Sequence, residues 1–336
     1  MNNKNHHFGG FFIEKKEFVF LWMVCYNENM SEIEIKHHVE LINKSEEKEL
    51  FEKNKNYILE VVNYFLSSFD FSANLTIYVD DSFVKKEFVN GEITEAYSSV
   101  TKYGHVIVLS NLVLQSVEHD GGLLLCSSIV HELGHVFDHH HILKSPYCKF
   151  NPMKLSHKTV ADLVFACGYH FWAEVYAYDR TFYAFKELRE KYPTFLKLVR
   201  AYKNLKERHA EIYKYIWTDE KRVSRKNIKF KEDVDAFVYA LSKHIAGTIN
   251  KAKYYKYSDK TKNMKEFKEV ETIVKRIYAK VVPIFTNTYG RGMTNKIGWL
   301  GNSIIVNIYK RFNICPVQGK KEAYFAMCLK EKKWKQ

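Results

Sequence analysis

Residues 127–141 read SSIVHELGHVFDHHH, and the uncharged, largely apolar residues on both sides of HELGH predict a buried helix. His131 and His135 are four residues apart, so they project from one face of that helix about one turn apart. Two imidazoles in this arrangement can bind one Zn²⁺ ion, at about 2.0–2.1 Å. Glu132 points slightly off the shared face, where it can hold and deprotonate an attacking water. The stretch therefore predicts a zinc site with a general base beside it.

The run His131-Glu132-Leu133-Gly134-His135 resembles the HExxH motif of the zincin superfamily of metallopeptidases. The resemblance implies that His131 and His135 are zinc ligands and that Glu132 is the general base. It leaves the third ligand open between two branches of the superfamily. Gly134 lies where the backbone can pass close to another element.

In the gluzincin branch the third ligand is a glutamate on a second helix, and Glu174, within FWAEVYAYD at residues 171–179, fits that description. A carboxylate in an apolar, aromatic helix is costly to bury unless a cation lies opposite. Ala177 permits a close approach of the two helices. With Asp138 completing HELGHxxD, the chain is similar to lethal-factor-type and ImmA/IrrE-like peptidases. It departs from their pattern at Tyr178, where Asp, Asn or Glu is usual.

In the metzincin branch the motif continues as HExxHxxGxxH, and His141 falls at the third-ligand position. Asp138 stands at the glycine position, where the chain leaves the helix with a positive φ that Asp adopts only at some cost. His170, one turn before Glu174, is a further candidate ligand or hydrogen-bond donor. Otherwise residues 139–141 are a solvated helix end, where cations suit the helix dipole.

Two further roles near the metal have candidates in the sequence. Asp138 lies one turn beyond His135 and can orient an imidazole. Tyr176, Tyr178 and His170 all lie near Glu174, and each can stabilise an oxyanion.

The pattern of elements predicts an α+β, mostly helical fold. We expect a zincin-like catalytic core, with a small sheet and an active-site helix, followed by a basic helical domain. The expected divisions are an N-terminal tail over residues 1–30, the metallopeptidase domain over 31–190 and the basic helical domain over 191–336.

Apolar spacing and turn residues predict the main elements of both domains. We expect helical structure over 31–70, 123–141, 159–180 and most of the chain after Pro193, strands over 75–79 and 104–110, and a connection at 290–301. Residues 106–109 are expected to form an edge strand that pairs with extended substrate backbone. Trp217, Trp299, Tyr309 and Phe312 are expected to help form the core of the second half.

Charge is distributed unevenly between the two halves. Residues 1–180 hold 16 basic and 24 acidic side chains, whereas residues 181–336 hold 36 and 15. Basic clusters at residues 221–226 and 251–268 can contact an acidic partner, nucleic acid or an anionic membrane. A solvated face of a helical bundle explains the same clusters without a partner.

Six scattered cysteines without a CxxC pair favour a reducing compartment, so we expect a cytoplasmic protein. Export as an effector, by a route without a recognisable signal peptide, is the alternative. The apolar run at residues 18–26 is too short to span a bilayer, which takes about 20 residues. It is either a buried strand or an extension ahead of a start at Met30 rather than Met1.

The function expected from these residues is zinc-dependent hydrolysis of peptide bonds in a protein or peptide substrate. One alternative keeps this chemistry in a toxin, effector or regulatory protease that cleaves a single protein. The other is a protein without enzyme activity that binds nucleic acid or a membrane and in which HExxH is structural.

Overall fold

The computed structural model describes residues 35–82, 96–101, 104–152, 154–186, 188, 195–215, 220–249 and 265–327. The fold is α+β and mostly helical, as predicted. The strands are β1 (His38–Asn43), β2 (Asn74–Val79), β3 (Ala96–Thr101), β4 (Gly104–Leu109), β5 (Ile314–Gln318) and β6 (Ala323–Met327). The helices are α1 (Lys48–Leu66), α2 (Asn111–Gln115), α3 (Val117–Asp120), α4 (Leu123–Lys144), α5 (Val160–Ala184), α6 (Phe195–Tyr215), α7 (Glu220–Ile249), α8 (Lys265–Phe285) and α9 (Met293–Asn307).

The first four strands form one mixed sheet in the order β1-β2-β4-β3. β1, β2 and β4 are parallel, and β3 is antiparallel to β4. The expected edge strand at residues 106–109 is wrong, because β4 is paired on both sides, and the two outer strands among the described residues are β1 and β3. The sequence of β3, AYSSVT, lacks the apolar alternation that marks a half-buried strand.

The prediction for the first described residues is also wrong. Residues 31–70 were expected to be helical, but His38–Asn43 is strand β1 and α1 begins only at Lys48. β1 pairs with β2 along its whole length, from His38 opposite Asn74 to Asn43 opposite Val79. The paired residues are 36 positions apart in the chain, so local spacing gives no sign of the pairing.

Helix α4 carries the HELGH run and is buried along most of its length, as its apolar flanks predict. Gly121 and Gly122 precede it with φ of 69° and 86°, a left-handed conformation that glycine adopts without steric cost. The Asp120 carboxylate accepts the backbone N–H groups of Gly122 and Leu124. It therefore satisfies donors that the first turn of the helix leaves without partners.

Helix α5 begins where Thr159 predicts it. The Thr159 side chain and the Asp162 carboxylate each accept the other's backbone N–H, which makes a complete capping box. α5 then packs against α4, α7 and α9. The predicted connection at 290–301 is wrong in its second part, since α9 begins at Met293. Gly301 of α9 lies so close to the Val164 carbonyl of α5 that a Cβ would overlap it.

The second half contains one feature that the sequence did not predict, the antiparallel hairpin of β5 and β6. Tyr309 and Phe312 are buried as expected, whereas Trp299 is 62% exposed and the prediction that it belongs to the core is wrong. Trp217 lies outside the described residues. The buried apolar core continues from the sheet into α7, α8 and α9. The boundary between residues 190 and 191 stays a prediction.

Candidate metal centre

Three side chains from two helices converge on one point. Nε2 of His131 and Nε2 of His135 are 3.2 Å apart. Oε2 of Glu174 lies 3.5 Å from Nε2 of His131, and its Oε1 lies 3.6 Å from Nε2 of His135. Within the described ranges these three residues are the group of His, Cys, Asp and Glu side chains that can hold a metal ion.

The distances among these atoms suit a small tetrahedral ion. Two ligand atoms at about 2.0–2.1 Å from one tetrahedral centre stand about 3.4 Å apart, as simple trigonometry requires. The separations in the structure, 3.2 to 3.6 Å, bracket that value. Oε2 of Glu174 is buried and has no hydrogen-bond partner among the described residues. Because an orphaned buried carboxylate oxygen is costly, a cation between the three side chains would satisfy it.

The close packing of α4 on α5 brings Glu174 to the histidines. Gly134 lies between His131 and His135 on α4, and it faces Ala177, which lies three residues after Glu174 on α5. A Cβ at residue 134 would stand 3.1 Å from Cα of Ala177. Gly134 and Ala177 therefore permit the close approach of α4 and α5 that brings Glu174 to the histidines. The sequence predicts close approach at both positions.

The charge states of Glu174 and His135 suit metal binding, whereas the Glu174 carboxylate favours a proton on His131, which a metal ion would have to displace. Burial raises the pKa of a carboxyl group, but the two histidines opposite outweigh this and hold the pKa of Glu174 below its usual value. Burial lowers the pKa of His135, and His131 lowers it further. Burial also works against the cation of His131, but Glu174 outweighs it and the pKa of His131 is raised. Glu174 is thus a carboxylate at neutral pH, and His135 offers a neutral nitrogen.

The site opens to solvent beside Glu174. The Glu174 side chain is 28% exposed, whereas those of His131 and His135 are 11% and 12% exposed. Glu132 is buried, at 5% exposure, and its charge acts on both histidines. The predicted base therefore lies next to the two nitrogen ligands rather than on the outer surface of α4.

The two alternative third ligands are not part of this group. Nε2 of His141 lies 3.1 Å from Oδ1 of Asp70, and its ring stacks on Tyr289 at 5.2 Å between centroids. His170 is exposed on α5 and is not among the clustered ligands. Packing thus brings Glu174, and neither His141 nor His170, beside the two histidines, and His141 contacts Asp70 and Tyr289 instead.

Asp138 does not orient an imidazole, and that prediction is wrong. Its carboxylate is fully buried and accepts three hydrogen bonds, from the Tyr169 hydroxyl at 3.1 Å, the Trp172 indole at 3.3 Å and the Tyr289 hydroxyl at 3.0 Å. It links α4 to α5 and to the segment before α9. Nδ1 of His131 is buried and has no acceptor among the described residues.

Residues 139–141 are not a solvated cationic helix end. His139 is buried, and burial lowers its pKa to about 3. The His140 ring stacks on Phe71 at 3.5 Å between centroids, and burial lowers its pKa to about 4. Both side chains are therefore neutral at pH 7, and apolar packing rather than the helix dipole accounts for them.

Two residues of the second half, Tyr239 and Lys243, pack on Tyr178 beside the metal centre, and sequence reasoning missed both. The Tyr178 ring packs on the His131 ring at 4.3 Å between centroids, and its hydroxyl lies 2.5 Å from that of Tyr239 on α7. Nζ of Lys243, one turn further along α7, lies 4.9 Å from the Tyr178 ring centroid and 4.4 Å from that of Tyr239. The polar face of α7 carries no motif, so only the packing of α7 on α5 identifies them.

Among the predicted oxyanion donors, Tyr176 is excluded by its surroundings. Its hydroxyl accepts a hydrogen bond from Arg180 at 3.1 Å, and its ring packs on Phe285 and Tyr289, away from the His131 side of α5. Of the two tyrosines, Tyr176 and Tyr178, it is Tyr178 that contacts His131.

The basic clusters are only partly described. Residues 251–264 and the side chains of residues 221–226 lie outside the described part of the chain. Within the described ranges, every helix falls short of the length or the apolar content that a bilayer-spanning segment needs. Comparison of the chain with protein-family models, curated proteins and solved structures gives no match.

Proposed function

We propose that this protein is a zinc-dependent metallopeptidase of the gluzincin type. The observation that carries the proposal is the convergence of His131, His135 and Glu174 at tetrahedral spacing, with Glu132 buried beside them. Two imidazole nitrogens and one carboxylate oxygen are the protein ligands of many catalytic zinc sites, which keep a fourth position open. Magnesium and calcium prefer sites made only of oxygen ligands.

Each side chain then has one task. His131, His135 and Glu174 hold the metal ion. Zinc, when bound, supplies a Lewis acid that polarises a carbonyl group and lowers the pKa of a water molecule. Glu132 accepts the proton of the attacking water and passes it to the amine that leaves when the peptide bond breaks. The exposed side of Glu174 leaves a path by which substrate and water reach the ligands.

The sheet supports a peptide as the substrate. β3 is one of the two outer strands of the sheet among the described residues, and it contacts α4, the helix that carries the histidines. An outer strand offers backbone N–H and C=O groups to an extended peptide, which binds by adding a strand. A peptide on this edge lies beside α4 without requiring a particular sequence.

Metal content and cleavage together test the proposal. The protein, purified without chelator, is expected to contain about one zinc ion per chain by elemental analysis. Glu174→Gln is expected to lower the zinc affinity strongly, and His141→Ala is expected to keep it. A fluorogenic peptide library, with casein as a generic substrate, then measures hydrolysis by the wild type and by Glu132→Gln.

Three results would contradict it. The first is wild-type protein without stoichiometric zinc. The second is Glu174→Gln with undiminished zinc affinity while His141→Ala loses the metal, which would move the third ligand to His141. The third is hydrolysis by Glu132→Gln at the wild-type rate, since the proton transfer assigned to Glu132 would then be unnecessary.

A further inference from the structure

The metal centre has a cationic neighbour from the second half of the chain. Lys243 on α7 has its Nζ above the rings of Tyr178 and Tyr239, at 4.9 and 4.4 Å from the centroids. Tyr178 in turn contacts the His131 ring. The charge of Lys243 acts on His131 and on Glu174, two of the three ligands.

A cation at this place opposes metal binding. An ammonium group and a divalent ion repel each other, and the repulsion is stronger in a partly buried site than in water. The two tyrosine rings attract the ammonium by cation–π contact, but such a contact does not need a place beside a metal centre. An ammonium group beside a metal ion is favourable when an anionic oxygen lies between them.

We propose that Lys243 is a further catalytic residue, whose ammonium group donates a hydrogen bond to the carbonyl oxygen of the scissile peptide bond as that oxygen gains negative charge. The inference rests on the proposed peptidase function. Tyr178 and Tyr239 act as positioning residues: their rings hold the ammonium by cation–π contact, and their mutual hydrogen bond fixes the rings. The second half of the chain thereby completes the active site.

The first test uses metal affinity and anion binding, without hydrolysis. Lys243→Met is expected to bind zinc as tightly as the wild type or more tightly, because a repulsive charge is gone. A variant damaged in its fold would bind zinc more weakly. Inorganic phosphate, a tetrahedral anion, is then titrated into Co²⁺-loaded protein and followed by visible absorption. Lys243→Met is expected to weaken phosphate binding by about 10- to 100-fold, the usual effect of losing a charge-assisted hydrogen bond.

Two control variants separate charge from structure. Lys243→Arg keeps a cation over the two rings and is expected to bind phosphate more tightly than Lys243→Met does. Lys275→Met removes an exposed lysine of α8 that pairs with Glu271, and it is expected to leave phosphate and zinc binding unchanged. Wild-type phosphate affinity in Lys243→Met would overturn the proposal, and so would a lowered zinc affinity in that variant.

Hydrolysis kinetics supply the second test. Lys243→Met is expected to lower kcat by about 100- to 1,000-fold with a small change in KM, because the bond forms as charge develops. A raised KM confined to acidic peptides, with kcat intact, would show that Lys243 anchors a substrate carboxylate and would overturn the proposal. If the wild type binds zinc and cleaves peptides while Lys243→Met matches it, this inference fails and the proposed function stands. If the wild type binds no zinc, the proposed function itself fails.

Discussion

The contact between Gly134 and Ala177 gives the sharpest prediction about how this fold builds its site. Gly134→Ala adds one methyl group on α4 where a Cβ would stand 3.1 Å from Cα and 3.4 Å from Cβ of Ala177. Gly298→Ala is the matched control. It makes the same change inside helix α9, where the nearest atom to a new Cβ is Cδ2 of Phe165 at 4.0 Å.

The expected difference in stability follows from these distances. In both helices alanine is favoured over glycine by about 0.5–1 kcal/mol. At residue 298 the new methyl group makes an ordinary contact, so Gly298→Ala is expected to raise the free energy of unfolding by that amount. Carbon atoms pack best at about 3.5–4.0 Å, so at residue 134 the two helices must move apart by a few tenths of an ångström. Such overpacking costs about 1–3 kcal/mol, which is the expected difference between the two variants.

The metal affinity should fall only in Gly134→Ala. Moving α5 away from α4 lengthens the distances from Glu174 to His131 and His135, which are 3.5 and 3.6 Å in the structure. A loss of about 1.4 kcal/mol in metal binding raises the dissociation constant tenfold. We expect at least about that change in Gly134→Ala and none in Gly298→Ala.

Urea denaturation of the metal-free proteins measures the stabilities, and competition with a chromophoric zinc chelator measures the affinities. Equal stabilities and equal zinc affinities for Gly134→Ala and Gly298→Ala would refute the reasoning. They would mean that the approach of α4 to α5 does not limit the geometry of the ligands.

Other predictions concern individual side chains. Glu132→Gln is expected to keep one zinc per chain but to lower the rate of peptide cleavage by at least about 100-fold, as elemental analysis and a fluorogenic peptide assay will show. Burial raises the pKa of Asp138 from 3.8 to about 6, so the folded state holds this proton more tightly and the free energy of unfolding falls by about 3 kcal/mol as the pH rises through that range. Because Asn does not titrate, urea denaturation of Asp138→Asn should not show this decrease in the free energy of unfolding. If Asp138→Asn has the same pH dependence as the wild type, Asp138 is not its cause. His141→Ala should lower the free energy of unfolding by about 1–3 kcal/mol, since the contacts with Asp70 and Tyr289 are lost. Its zinc stoichiometry should stay at one.

Local periodicity accounts for what could be predicted of the site. His131, Glu132 and His135 lie within about one helical turn, so the geometry of the helix alone relates them. Glu174 could be recognised as a candidate because the resemblance to gluzincins implies a glutamate on a second helix, and because a carboxylate on an aromatic helix is costly to bury without a cation. The α+β class and helices α4 and α5 followed from apolar spacing and from the turn residues at 120–122, and the second helix was expected to begin near Thr159, as it does.

Which residues of different helices contact each other could not be predicted without the tertiary structure. The sequence left Glu174, His141 and His170 as alternatives, because periodicity relates residues of one helix and says nothing about which face meets another helix. The packing of α4 on α5 places Glu174, rather than His141 or His170, beside His131 and His135. The tertiary structure also shows that the Asp138 carboxylate accepts hydrogen bonds from Tyr169, Trp172 and Tyr289 rather than from a histidine ring.

The sequence by itself determined that one helix carries two histidines and a glutamate arranged for a metal, since those three side chains depend only on the helix repeat. Only the tertiary structure decided which of Glu174, His141 and His170 lies beside the histidines, that β4 is not an outer strand, and that Lys243 packs on Tyr178 beside His131. Each of these depends on contacts between residues far apart in the chain. Such contacts are set by how buried faces fit together, and a fit between two surfaces cannot be read from the periodicity of either one.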